Sequence, residues 1–340
     1  MAKTTMSDVA RFAGVDVSTV SRALNERTAA MLRSETVERV LAAASELGYQ
    51  PNVLARGLRT QRSHTVGMLL PDLTNPFFPP IVRGLEDALD AGGYTLIVTN
   101  TDNDARREAR SLQSLVGRQV DGLVVATSHL DSDEGTAAVG NLPVVLVNRR
   151  GTDPSVPAVV PDDAAGVTLA VRHLLDLGHR RIAHVAGPTD TSTGRSRAEA
   201  FETFATDAGV YDPALVEHAA IFAVGDGMEA CQRLLEQHPD VTAICAANDL
   251  LAIGCLRALR AAGRRVPQEV SLVGFNDMPL VDLIDPPLTT VRIPQYEMGR
   301  RAGELLLGLL DDPPARRARK AVELAPELVV RQSTAAPGAS

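Results

Sequence analysis

The chain has 340 residues, room for two or three domains, and its 45% hydrophobic content excludes wholesale disorder. The formal net charge of −8 argues against nucleic-acid contact along the whole chain, but the charge is uneven. Residues 1–62 hold nine Lys and Arg against six Asp and Glu, or +3, leaving −11 on the rest, as expected when only a small basic head meets phosphate.

The stretch Thr5–Asn25 reads as a helix, a tight turn and a second helix. Ser7 is expected to cap the first helix, whose apolar side is Val9, Ala10 and Ala13. Gly14 supplies a turn that a residue with a Cβ would resist. Asp16 or Ser18 caps a second helix that buries Val20 and Leu24. Its free face shows Val17, Ser18, Ser21, Arg22 and Asn25, groups suited to a major groove. A loop is expected over 26–32. Ser34 then caps a third helix through Leu47, with Val37, Val40, Leu41, Ala44 and Leu47 at helical spacing, and Gly48 ends it. Tyr49 helps to close the small core. Pro51 opens a stretch that suits a helix of about two turns, too short to persist alone in water.

From Ser63 onward, short apolar runs alternate with amphipathic helical stretches. The strand candidates are Val66–Leu70, Thr95–Thr99, Leu123–Ala126, Val144–Val147, Ile182–Val185, Ala243–Ala246, Ser271–Phe275 and Thr290–Ile293. Helices are expected over Ile81–Ala91, Val167–Leu177 and Leu250–Ala262. This alternation predicts parallel sheets covered on both faces, arranged as two doubly wound lobes. The expected boundaries are 1–50 for a DNA-binding head, 51–62 for a hinge, and 63–340 for a ligand-binding and dimerisation region. In that region lobe 1 covers about 63–160 plus 291–335, and lobe 2 about 161–290. The chain is expected to return to lobe 1 through Thr290–Ile293 and the helix Tyr296–Leu310. Cys231, Cys245 and Cys255 lack metal-ligand spacing and read as buried thiols in a reducing compartment. His173, His179 and His184 read as structural. Neither a secretory pattern nor a membrane-length apolar run is present, so a cytoplasmic protein without membrane contact is expected.

In open parallel sheets, ligands bind beyond the carboxyl ends of the strands. That rule selects Asp72, Asn75, Phe77 and Phe78, then Thr127, Ser128 and His129. It also selects Asn148, Arg149, Asn248, Asp249, Asn276 and Asp277. Such a ring of amides, charges and aromatics suits a polyhydroxyl ligand. Asp249 is nevertheless expected to cap the helix beginning at Leu250. Asp277 likewise reads as a cap or turn residue as well as a site residue. Phe77 reads equally as a core residue and as a site residue.

The run TMSDVARFAGVDVSTVSRALN resembles the DNA-binding motif of the lactose/galactose repressor (LacI/GalR) family. PDLTNPFF, GHRRIAHVAGP, AANDLLAIG, VSLVGFND, PPLTTVR and PELVVRQST follow in the family's order, so the resemblance covers nearly the whole chain. It implies an all-α helix-turn-helix head on a periplasmic-binding-protein-like α/β core. It also implies a homodimer on a near-palindromic double-stranded operator, a sugar or sugar-derived effector between the lobes, and no cofactor or metal. Val17 and Ser18 would read bases, and Arg22 a guanine or a phosphate. Thr19, Ser21 and Asn25 would hold the backbone register, and Ser7 would also meet the DNA. The match to PNxxARxL places a minor-groove wedge on Leu58, with Ala55 at the groove floor. Ligand contacts would fall on Phe78, Ser128, Asn148, Arg149, Arg197, Phe222, Asn248 and Asn276. The family usually has aspartate at positions 148 and 276. With asparagine there and Arg149 and Arg197 retained, the cleft shifts toward positive charge. A neutral sugar remains the first expectation, and a ligand with an anionic group the second.

Two other classes are weighed. An enzyme would need a catalytic constellation, and only Gly194–Ala198 approaches a nucleophile elbow, after a loop rather than directly after a strand. A sugar-binding protein without DNA function would share the two lobes but not the head. Arg316–Lys320 reads as a solvated basic loop, and the tail after Thr334 lacks heptads for a coiled coil.

Overall fold

The computed structural model describes residues 4–24, 26–49, 62–127, 139–311 and 321–338. The chain divides into two compact units, Met1–Ser63 and His64–Ser340.

The first unit contains α1 (Met6–Ala13), α2 (Val17–Ala23), α3 (Glu26–Ala29) and α4 (Ser34–Glu46). Val9, Ala10 and Ala13 of α1 pack with Val20 and Ala23 of α2 and with Val40, Ala43 and Ala44 of α4, while Leu24 and Tyr49 are partly buried at the margin. The cap of α1 is Thr5, not Ser7. Thr5 Oγ1 accepts from the Asp8 N–H at 3.4 Å, and Asp8 Oδ2 accepts from the Thr5 N–H at 3.0 Å. That reciprocal pair needs an acid three residues after the cap, which Thr5 has. Asp16 is the N-cap of α2, and neither it nor Ser18 makes a side-chain capping bond there. Gly14 takes the left-handed turn at φ +64°. The loop expected over 26–32 instead contains the single turn α3. The N-cap of α4 is Arg33, so Ser34 lies inside the helix. Leu41 is 48% exposed, because it lies about 100° round the helix from Val40; Ala43 takes the core place.

The second unit holds two six-stranded sheets. The first lobe comprises β1 (Thr65–Leu70), α5 (Phe78–Ala91), β2 (Thr95–Asn100), α6 (Ala105–Gly117), β3 (Gly122–Val125), β4 (Val144–Val147) and β5 (Ala158–Pro161). The second comprises α7 (Asp163–Asp176), β6 (Ile182–Ala186), α8 (Ser192–Asp207), β7 (Val216–His218), α9 (Val224–Gln237), β8 (Ala243–Ala246), α10 (Asp249–Ala261), β9 (Ser271–Asn276) and β10 (Thr289–Arg292). α11 (Gln295–Asp311), β11 (Ala321–Leu324) and β12 (Glu327–Val329) complete the chain. The sheet orders are β2-β1-β3-β4-β5-β11 and β7-β6-β8-β9-β10-β12. All pairings are parallel except β10 with β12. The core strands are continuous apolar runs because helices cover both faces.

One expectation about the lobes is corrected. Thr289–Arg292 pairs with β9, so it belongs to the second sheet, and the chain crosses only after it. The span 291–335 is split likewise. α11 packs on α5 and β11 pairs with β5 in the first lobe. β12 lies in the second sheet, and the tail follows it there, with the Leu272 N–H donating to the Ser333 carbonyl at 2.8 Å. The lobes are therefore joined at three places: Asp162, Ile293–Pro294 and Ala325–Pro326. Three short irregular crossings make a connection able to bend without unfolding either lobe.

Contact between α5 and α11 depends on glycine. A Cβ on Gly299 would stand 1.9 Å from the Ile81 carbonyl oxygen, and one on Gly84 2.0 Å from that of Tyr296. The three cysteines are free and buried. No helix among the described residues is long and apolar enough to cross a membrane.

Candidate functional site

Both sheets have the 2-1-3 strand order of doubly wound folds, and the crevice beyond their carboxyl ends is where such folds receive ligands. A cavity of about 190 Å³ occupies that position between the lobes. It is smaller than the roughly 300–1,000 Å³ of drug-sized pockets, and suits one monosaccharide-sized molecule.

From the first lobe, Asn75 and Phe78 follow β1, and Asn148 and Arg149 follow β4; all four line the cavity. Phe77 and Phe78 meet edge to face with centroids 5.2 Å apart. Both are buried, and both also line the cavity, so Phe77 serves core and site together. From the second lobe come Arg197, Phe222, Asn248 and Asn276. Phe222 is held against Gly187, where an added Cβ would lie 2.4 Å from the ring. Asn148 and Asn276 have φ of +67° and +115°, a region asparagine tolerates better than most residues. Ser128, His129, Asn25, Ala55 and Leu58 lie outside the described residues.

Asn248, not Asp249, caps α10: its Oδ1 accepts from the Leu251 N–H at 2.9 Å. Asp249 is fully buried beneath the cleft floor. It accepts from Thr290 Oγ1 at 2.6 Å and from the Met278 N–H at 2.8 Å, and burial pushes its carboxyl up to about 7. Asp277 does not line the cavity either, and pairs with Arg292 and Arg331, each at 2.7 Å. His173 and His179 hydrogen-bond within the second lobe, to Thr334 and to Thr242, Ser271 and Ala335.

The two cleft arginines differ. Arg197 Nε is 2.8 Å from Asp163 Oδ1, its Nη1 donates to the Ala247 carbonyl at 2.7 Å, and it lies 3.9 Å above the Phe275 ring. Its charge is balanced. Arg149 is buried, and neither its Nε nor its Nη1 has an acceptor among the described residues. Burial pulls its pKa down to about 10, with Asp190 and Glu108 opposing in part, so it remains a cation at neutral pH. Asp163 was missed in the sequence because it lies behind Arg197, at the first turn of α7. Asp190, Thr191 and Thr193, which also line the cavity, follow β6: Asp190 in the loop, Thr191 as the N-cap of α8 and Thr193 in its first turn. Among the described residues no group of His, Cys, Asp and Glu could hold a metal ion.

In the head, Ser7 on α1 and Val17, Ser18 and Arg22 on α2 are exposed, whereas Thr19 and Ser21 are half-buried. At 44% exposure, Val17 is an apolar side chain presented to solvent at the start of a helix.

Comparison with known proteins agrees with both halves. Residues 5–52 match the profile of bacterial regulatory proteins of the lacI family, and residues 171–334 that of the periplasmic binding protein-like domain. The ribose operon repressor of Halalkalibacterium halodurans is 36% identical over 97% of each chain. The HTH-type transcriptional repressor PurR of Photobacterium profundum is 32% identical over 97% of this chain and 98% of its own. Among solved structures, the lac repressor dimer bound to operator and the anti-inducer ONPF superposes with a TM-score of 0.85 at 27% identity, covering 98% of this chain and all of that one. A regulator of this family from Enterococcus faecium with bound ribose gives 0.71 at 30% identity, over 80% of this chain and 99% of its own. The chain belongs to the lacI family of bacterial regulatory proteins.

Proposed function

We propose that this protein is a repressor that binds a near-palindromic duplex operator as a homodimer and answers to a sugar or sugar-derived effector in the interlobe cleft. It acts in the cytoplasm by binding rather than by catalysis. The observation that carries the reading is the exposed face of α2, where Val17, Ser18 and Arg22 stand over a core closed by Val20 and Ala23. Val17 and Ser18 read base edges, a valine methyl meeting a thymine methyl. Arg22 reaches a guanine or a phosphate, Thr19, Ser21 and Asn25 set the register, and Ser7 also meets the DNA. Leu58, with Ala55 beneath it, opens a base step from the minor groove. The unstacking costs a few kcal/mol and yields a better-wrapped duplex.

Effector contacts are assigned to Phe78, Ser128, Asn148, Arg149, Arg197, Phe222, Asn248 and Asn276. Effector closes or opens the lobes about the three crossings, changing the spacing of the two 51–62 segments in the dimer. A coupling of about 1–3 kcal/mol is typical of such control. Selection of operators from a randomised library tests the assignment. Exchanging Val17 and Ser18 for other residues redirects the preferred half-site, and an unchanged selected sequence overturns the role given to them.

A further inference from the structure

Asp163 holds Arg197 from outside the effector cavity. It lines another small recess, with Asp162, Ser192, Ser196 and Glu323. Its Oδ1 accepts from Arg197 Nε at 2.8 Å, and its Oδ2 accepts from Ser196 Oγ at 2.6 Å. Arg197 Nη1 donates to the Ala247 carbonyl at 2.7 Å, and the guanidinium lies on the Phe275 ring. The start of α7, the end of β8 and β9 therefore fix it together. These bonds use Nε and Nη1 and leave Nη2 for a ligand. Asp163 is also the residue that follows the first crossing between the lobes. Asp162 caps α7, its Oδ1 accepting from the Ala165 N–H at 2.9 Å, and its own N–H donates to the Leu324 carbonyl at 3.0 Å. Leu324 directly precedes the third crossing, so the two crossings are bonded to each other. The second crossing also reaches the cleft, through Gln295 Nε2 and the Asn276 carbonyl at 2.7 Å. That acceptor is backbone and does not depend on the Asn276 side chain.

An ion pair shut off from solvent interacts more strongly than one in water, and it responds when a third group approaches either partner. A ligand oxygen that accepts from Arg197 Nη2 competes with Asp163 for the position of the guanidinium. Ser196 anchors the second carboxylate oxygen, so Asp163 cannot simply rotate to follow. The pull falls instead on the start of α7, one peptide bond from Asp162. We propose that Asp163 is a positioning residue of the effector response: it aims Arg197 at the cleft, and it carries the pull of a bound effector from Arg197 to the first crossing. This rests on the assignment of the interlobe cleft as the effector site. Coupling between two sites needs an element that both of them bias, and the start of α7 with the crossing before it is that element.

The test uses the full chain as wild type, Asp163→Ala, Asp163→Asn and Ser196→Ala. Calorimetry gives the affinity for ribose and for glucose, and urea unfolding gives stability. Affinity for the selected operator is measured with and without saturating sugar. Asp163→Ala is expected to weaken sugar binding tenfold or more. At saturation the sugar should then shift operator affinity less than a third as much as in wild type. Asp163→Asn keeps an acceptor for Arg197 without the charge and should fall between the two; it carries the test if Asp163→Ala does not fold. Ser196→Ala leaves the Arg197 bond intact and should bind sugar within threefold of wild type. A lower urea midpoint with sugar affinity and operator shift at wild-type values makes Asp163 a structural residue only and overturns the inference. Weaker sugar binding with a full operator shift at saturation also overturns it, because the pull would then travel by another route. Both results leave the cleft assignment standing. Wild type that binds neither sugar overturns the cleft as a pentose or hexose site, and the inference with it.

Discussion

His184 is fully buried in β6, its ring stacked on Phe201 with centroids 4.5 Å apart. Its Nδ1 donates to the Cys245 carbonyl at 2.8 Å, which fixes the neutral tautomer. Burial, with Arg197 and His218 adding to it, pulls its pKa from 6.5 down to about 4. The unfolded chain takes up this proton below about pH 6.5 and the folded chain resists it. The stability contributed is therefore complete above 6.5 and is lost as pH falls through about 4. Between pH 7.5 and 5 the loss from this group alone is about 2 kcal/mol. Urea unfolding of wild type should show that fall, and His184→Gln should show a smaller one. An equal fall in both would remove His184 from the account. Residues of this kind were only half legible. Placing Asn148, Arg149, Asn248 and Asn276 beyond strand ends followed from strand–helix alternation, because the period of the chain fixes which ends meet. That Arg197 is matched by Asp163 could not be read, since Asp163 reaches Arg197 only through the fold.

At the level of elements, glycine sets how closely α5 and α11 approach. Gly299→Ala places a methyl against the Ile81 backbone, which cannot swing away as a side chain can. The first lobe should lose about 1–3 kcal/mol, measured as a lower denaturation midpoint. A variant as stable as wild type would mean that the helices can separate freely. The long apolar strands were visible because burial on both faces requires unbroken Val, Leu and Ile. β5, β7, β11 and β12 have three or four residues each, and β11 alternates exposed and half-buried positions. Their pairing is set by the neighbour, not by their own composition. The capping of α1 by Thr5 was hidden by Ser7, an equally good cap by residue type; only Asp8 at the right spacing decides between them. The sheet membership of β10 was hidden for a related reason. Thr290 Oγ1 is tied to Asp249, 41 residues away, and nothing local records the bond.

Across the whole molecule, a head with an exposed reading face is joined in one chain to a receptor with a polar interlobe cleft and three crossings between its lobes. Neither half explains the other unless occupancy of one changes the affinity of the other. The most direct measurement is the affinity of the purified protein for its selected operator, against random duplex, at several salt concentrations with and without a saturating cleft ligand. The account predicts a preference for operator, affinity for both duplexes falling steeply with salt, and a shift of about fivefold or more in operator affinity when the ligand is added. Equal affinity for operator and random duplex, or an operator affinity indifferent to a ligand that calorimetry shows to be bound, would contradict it.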